Sequence, residues 1–113
     1  MIHITTHVLD VSLGRPAANV SVILEAQSAG GNWTEAARGV TDADGRLRDW
    51  SAAKTLAAGI YRLIFDTRAY FAGRKTASLY PQVVIVFEVR DAQEHYHIPL
   101  LLSPFGYSTY RGS

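Results

Sequence analysis

The proton-transfer groups of this chain are few and unevenly placed. Of its four histidines, His3 and His7 lie in IHITTHVLD near the start, and His95 and His97 in HYHIPLLLSPFGYSTYRGS near the end. Imidazole is the side chain whose ordinary pKa, about 6.5, suits both taking up and releasing a proton near neutrality. His95 and His97 stand at i and i+2, so on a strand both rings project from one face. Such a pair can hold a metal, yet a zinc site needs further ligands, and no cysteine or carboxylate motif accompanies it. The bland reading of each outward histidine is a solvated surface residue. Arg46 follows the turn DADG and by default flanks it; Asp42 and Asp44 read as turn formers, not as a catalytic carboxylate pair. No serine sits in a GxSxG elbow and no glycine-rich phosphate loop occurs. With no cysteine, thiolate catalysis, disulfides and cysteine-bound metal are excluded.

Positioning these groups falls to short β runs separated by turns. IHITTHVLD alternates, with Ile2, Ile4, Thr6 and Val8 on the better core face and His3, Thr5, His7 and Leu9 opposite. GRPAAN punctuates it, VSVILEA from Val20 to Ala26 is the next strand, and SAGGN is a hairpin loop into WTEAARGVT. DADGR is a tight turn before a short strand. GIYRLIFD places Tyr61, Leu63 and Phe65 opposite Ile60, Arg62 and Ile64. DTRAYFAGRK predicts the one helix, two turns capped by Asp66 or Thr67 with Gly73 near its end. QVVIVFEVR reads as a fully apolar strand. A final pair, HYHIPLLLS and FGYSTYRG, turns at Ser103-Pro104. On the first of this pair Tyr96, Ile98, Leu100 and Leu102 form the core face, and His95, His97 and Pro99 look outward. On the second, Phe105, Tyr107 and Thr109 are expected to face the core, with Gly106, Ser108 and Tyr110 on the other side. Several strands with one helix imply an all-β sandwich.

The 113 residues fit a single domain, 1–113, with enough chain to bury one core. A net charge of +1 gives no electrostatic footprint for nucleic acid or an anionic membrane, so neither is expected as a partner. No run approaches the roughly 18 apolar residues of a membrane span. MIHITTHVLD has neither the basic nor the apolar region of a secretory signal, and RGS is not a peroxisomal address, so the expectation is a cytoplasmic location, the alternative being a chain that is already mature. Read from residues alone, this is a sandwich with outward histidines and an aromatic C-terminal segment, and that does not name a function.

Two stretches carry a resemblance that does. THVLDVSLGRPAANVSV, from Thr6 to Val22, and HYHIPLLLSPFGYSTYRGS closely resemble the transthyretin-related family, specifically its 5-hydroxyisourate hydrolases, with TDADGRL and GIYRLIFDT fitting between them. The final YRGS is the most specific element, since it separates the hydrolases from the hormone carriers of the same fold. One local departure is SLYPQV, where relatives often show two aromatics before the proline. The resemblance implies a transthyretin-like, eight-stranded β-sandwich with one short helix, assembled as a homotetramer, a dimer of dimers around a channel. It implies 5-hydroxyisourate as the small-molecule substrate, with no metal and no organic cofactor. It carries functional roles onto His7, Arg46, His97 and the segment Tyr110, Arg111, Gly112 and Ser113. His7, His97, Arg46 and Ser113 would take part in catalysis, with one or both histidines activating water, while His7, Arg46, Tyr110, Arg111 and Gly112 would bind substrate. The alternative within the same fold is a carrier of a small aromatic ligand.

Overall fold

The computed structural model describes residues 3–50 and 56–113, and Ile2, expected on the first core face, lies outside them. Two sheets face each other. One contains β1 (Ile4–Asp10), β2 (Arg15–Pro16), β5 (Arg46–Leu47), β8 (Tyr96–Ser103) and β9 (Gly106–Thr109). The other runs β4 (Trp33–Val40), β3 (Ser21–Gln27), β6 (Gly59–Phe65), β7 (Val83–Val89). Among the described residues the only helix is α1 (Thr67–Gly73). The expected all-β, transthyretin-like sandwich with one short helix is the architecture observed, with nine strands among the described residues where eight were expected, two of them, β2 and β5, only two residues long.

Period-2 patterning builds the core as expected. Ile4, Thr6, Val8 and Asp10 of β1 are buried, as are Tyr61, Leu63 and Phe65 of β6 and Tyr96, Ile98, Leu100 and Leu102 of β8. The pairing that matters most is not local. β1 runs parallel to β8, with Thr5 opposite His97 and His7 opposite Pro99, while on its other side His7 pairs with Arg46. Both ends of the chain thus meet on one outer face.

Two side-chain placements are corrected. Pro99 shares the outward face with His97 yet is buried, because the C-terminal segment folds back over it. Phe105, Tyr107 and Thr109 do not pack into the core: Phe105 is 68 % exposed, and Tyr107, also exposed, forms an edge-to-face pair with Tyr80 at 5.3 Å between centroids. Phe105 lies in the turn before β9, and although Tyr107 and Thr109 oppose core positions of β8, β9 is an edge strand, and Thr109 lines a cavity between it and β7. The run QVVIVFEVR forms the expected strand, β7, which is likewise an edge strand with Val86 58 % exposed.

The seven-residue helix is too short to stand alone and is held by tertiary contacts. Asp66 caps it, its carboxylate accepting from the Ala69 N–H, and Phe71 is buried, worth about 2–3 kcal/mol. Its C-terminal end is tied to β1 through Asp10. The Asp10 carboxylate accepts from the Tyr70 hydroxyl at 2.7 Å, from Arg74 Nη1 at 2.6 Å and from the Ser12 N–H at 3.0 Å. Burial alone would push the Asp10 carboxyl up, but the Ser12 and Tyr70 hydrogen bonds and the Arg74 charge outweigh it and hold it below the ordinary value. Tyr70 is pushed up to about 12, by burial and then by the neighbouring carboxylate. The Asp10 contribution is therefore complete above the unfolded carboxylate pKa of about 3.9 and is lost as pH falls through the depressed native value. Asp10→Asn should cost about 2–3 kcal/mol in chemical denaturation. That is below the usual figure for a broken buried pair, because Arg74 still reaches water. A loss under 1 kcal/mol would show that the network does not anchor α1.

Candidate functional site

The turn before Arg46 is built to aim it. Asp42 accepts from the Arg46 N–H at 3.0 Å and the Asp44 N–H at 2.9 Å, and these bonds, the Arg46 one first, hold its carboxyl low. Gly45 has a φ of +75°, and a Cβ there would strike the Val8 carbonyl, so only glycine lets this turn lie against β1. Its own carbonyl accepts from the Val8 N–H at 2.7 Å, fixing β5 beside His7.

His97 is approached from two sides. From β1, Thr5 Oγ1 lies 2.7 Å from its Nδ1. From the C-terminal segment, the Gly112 N–H donates to the His97 carbonyl at 2.7 Å, and the glycine rests directly on the imidazole. A Cβ at Gly112 would sit 2.5 Å from His97 Cδ2, so the residue packed here has to lack a side chain. Burial pushes the His97 pKa below its ordinary 6.5, and the charges of His95, Arg46 and His7 push the same way. His97 is accordingly neutral at pH 7.

His97, Arg46 and Ser113 converge on one cavity of about 180 Å³, together with Thr5, Thr6, Arg48 and His95. Of the residues expected from sequence, these three and Gly112 are brought together. His7 is half-buried, next along β1, and in register with Arg46, but it does not line the cavity. Its Nε2 lies 2.8 Å from the Asp44 carbonyl, which can only accept, so Nε2 carries the proton and donates. Tyr110 and Arg111 are placed elsewhere. Both line a larger cavity of about 500 Å³ between β7 and the β8–β9 pair. Arg111 reaches Glu94 at 3.1 Å and the His95 carbonyl at 3.2 Å, and its guanidinium lies 4.4 Å from the Tyr96 ring centroid. Sequence reading missed Thr5 and Arg48. The signal for Thr5 was its place two residues before His7 on the same face, and its meaning depends on the β1–β8 register.

The metal alternative finds no further ligands: among the described residues no group of three His, Asp or Glu side chains is close enough to share an ion. His95 and His97 both turn a nitrogen to Thr5.

A two-sheet sandwich with one short helix, in which an imidazole, a guanidinium and the C-terminal segment gather on one outer face, is a transthyretin-type domain. The profile of the HIUase/Transthyretin family matches residues 4–112, and the chain belongs to that family. It is 44 % identical over 110 residues to the 5-hydroxyisourate hydrolase of Salmonella dublin, an alignment covering 97 % of this chain and 80 % of that protein. Among solved structures, Klebsiella pneumoniae 5-hydroxyisourate hydrolase superposes with a TM-score of 0.83 at 40 % identity, covering 97 % of this chain and 98 % of that one. Sea bream transthyretin in complex with thyroxine superposes with a TM-score of 0.90 at 34 % identity, covering 96 % and 93 %. Backbone shape therefore does not separate enzyme from carrier. The side chains of the site must do so.

Among the described residues no helix is long and apolar enough to cross a membrane.

Proposed function

We propose that this chain hydrolyses 5-hydroxyisourate, opening its six-membered ring at the amide-like C–N bond to give 2-oxo-4-hydroxy-4-carboxy-5-ureidoimidazoline. The observation that carries this reading is the convergence of neutral His97, Arg46 and Ser113 on one cavity in a chain of this family. Ring opening needs a nucleophilic water, positive charge for the developing oxyanion and a proton for the leaving nitrogen. His97 is the water-activating base, since its lowered pKa keeps it unprotonated and Nδ1 is engaged by Thr5. Arg46 presents a fixed fork of donors to the carbonyl oxygens of a planar, anionic ring. His7, with its Nε2–H committed to Asp44, braces the Arg46 turn, and its outward ring would meet substrate only in the assembled channel. Ser113 orients water against His97. The chemistry asks for no metal or organic cofactor, and the residues 1–113 act as one domain.

The assembly we propose is a homotetramer. One protomer's cavity, about 180 Å³, is below the roughly 300–1,000 Å³ usual for ligand sites, so a second copy facing it would complete the walls. Tyr110, 59 % exposed, and Arg111 would meet substrate or shape the channel in that assembly. The outer strands β7 and β9, with exposed Val86 and Tyr107, are the kind of edges that pairing covers. Light scattering should return four chains; a fully active monomer would defeat the channel.

The test of function is the ultraviolet decay of freshly generated 5-hydroxyisourate with and without the protein. No acceleration means the reading is wrong. A carrier of a small aromatic ligand is the second reading, since thyroxine-bound sea bream transthyretin shares this backbone fold. It predicts ligand binding without turnover. Arg46→Lys discriminates further: it keeps the charge but loses the planar fork, so kcat/KM should fall by roughly 10- to 100-fold. Near-wild-type kinetics would reduce Arg46 to a diffuse field.

A further inference from the structure

Thr5 is the residue of this site that no motif announces. Its neighbour Thr6 points inward and donates its hydroxyl to the Ile98 carbonyl at 2.6 Å, whereas Thr5 lies on the outer face between two imidazoles. Its Oγ1 is 2.7 Å from His97 Nδ1 and 2.9 Å from His95 Nε2. A hydroxyl has one proton, so it can donate to one of these nitrogens only. The other must donate to it. Two arrangements satisfy this rule for neutral rings, and they put the His97 proton on opposite nitrogens.

The surroundings choose between them. Among the described residues His97 Nε2 makes no hydrogen bond, and the ring lines a cavity shared with Arg46 and Arg48. A lone pair at Nε2 presents the negative end of the imidazole dipole to that cationic cavity, and an N–H there would present the positive end. We propose that Thr5 and His95 form a positioning pair that holds the His97 proton on Nδ1, in the chain His97 Nδ1–H to Thr5 Oγ1–H to His95 Nε2, leaving Nε2 unprotonated. Thr5 is suited to this, because a β-branched side chain on a paired strand has few χ1 choices and the register sets it directly opposite His97. His95, exposed and otherwise read as a surface residue, acquires a role as the acceptor that orients the hydroxyl. The kinetic consequence, though not the tautomer itself, rests on the hydrolase reading above.

Nitrogen-15 NMR of the full chain, at a pH above the His97 titration and assigned against His97→Asn, reads the tautomer without substrate. The expected spectrum has a protonated Nδ1 and a bare Nε2 on His97; the reverse overturns the proposal. Thr5→Val removes the hydroxyl at constant shape. It should mix the two tautomers and lower kcat about tenfold with KM changed less than about twofold, and Thr5→Ser should restore both. A Thr5→Val enzyme that loses kcat while the His97 pattern stays fixed makes Thr5 a packing residue and ends the idea, as does one in which neither changes. Should Thr5→Val fail to fold, the wild-type spectrum and Thr5→Ser still decide. A wild-type protein with the expected tautomer and no action on 5-hydroxyisourate overturns the functional reading alone.

Discussion

Removing Tyr110 to Ser113 is expected to abolish ring opening, a fall of at least about three orders of magnitude, while leaving the sandwich folded. The two halves of this expectation rest on different contacts. For activity, the deletion takes Ser113 out of the cavity, lifts Gly112 off the His97 imidazole and strips the bond from the Gly112 N–H to the His97 carbonyl. His97 and Pro99 then face water directly. The desolvation that lowers the His97 pKa is relieved, and the water to be activated loses one wall of its site. For stability, the losses are small. They comprise one isolated bridge, an Arg111–Glu94 ion pair whose partners are both more than half exposed, and the contacts of the same exposed guanidinium with the His95 carbonyl and the Tyr96 ring, each worth about 1 kcal/mol or less. The ladder between β8 and β9 survives, from Leu100 opposite Thr109 to Ser103 opposite Gly106. The sandwich does not depend on Phe105 and Tyr107, which are exposed. Melting of the truncated chain within a few degrees of wild type, with no hydrolysis, is the expected pair of results. Full activity would show that the segment is an ordinary fraying end. A collapse in melting temperature would show that it is a structural strap and not part of the site.

What the sequence made legible, and what it withheld, follows from how far each signal travels along the chain. Alternation within one strand is local, so the buried faces of β1, β6 and β8 and the outward placement of His7 and His97 could be read from a few residues each. The Asp66 cap and the Asp42 turn were legible for the same reason: their side chains bond to backbone two to four residues on. Strand order is not local. Nothing in FGYSTYRG distinguishes an edge strand from a covered one or fixes where the turn ends, and so Phe105, Tyr107 and Thr109 were expected in the core, whereas Phe105 lies in the turn and β9 is an edge strand. Pro99 failed in the opposite sense, since its cover comes from Gly112, thirteen positions later and outside the ladder. Thr5 is the sharpest case. Its hydroxyl has a partner 92 residues away, and only the parallel register of β1 on β8 reveals it. The resemblance to the family named His7, Arg46, His97 and YRGS together, and the fold divides the last of these, with Gly112 and Ser113 at the His97 cavity and Tyr110 and Arg111 away from it. Within one protomer those two line the other cavity.

His97→Asn is expected to reduce kcat/KM by roughly 10²- to 10⁴-fold, and His7→Asn by about tenfold. The asymmetry comes from what each ring nitrogen already does. His7 spends its Nε2–H on the Asp44 carbonyl, a bond that an asparagine amide can partly reproduce, so the turn holding Arg46 would be loosened and not lost. His97 has the depressed pKa and lines the cavity itself, and an amide cannot take up a proton near neutrality. The pH profile separates the two more firmly than the magnitudes do. Protonation of His97 should switch off the wild-type enzyme, giving kcat/KM an acid limb with its midpoint below 6.5, because burial and the nearby positive charges disfavour the imidazolium. The same shift has a sign for stability. Below pH 6.5 the unfolded chain binds a proton at this position before the folded one does. Stability therefore falls as pH drops through the interval between 6.5 and the lower native value, and the contribution is complete above it. His97→Asn should erase the acid limb and flatten that part of the stability profile together, while His7→Asn should leave the midpoint close to wild type. If His7→Asn proves the more damaging variant, or if the limb persists without His97, the water-activating base has been assigned to the wrong histidine.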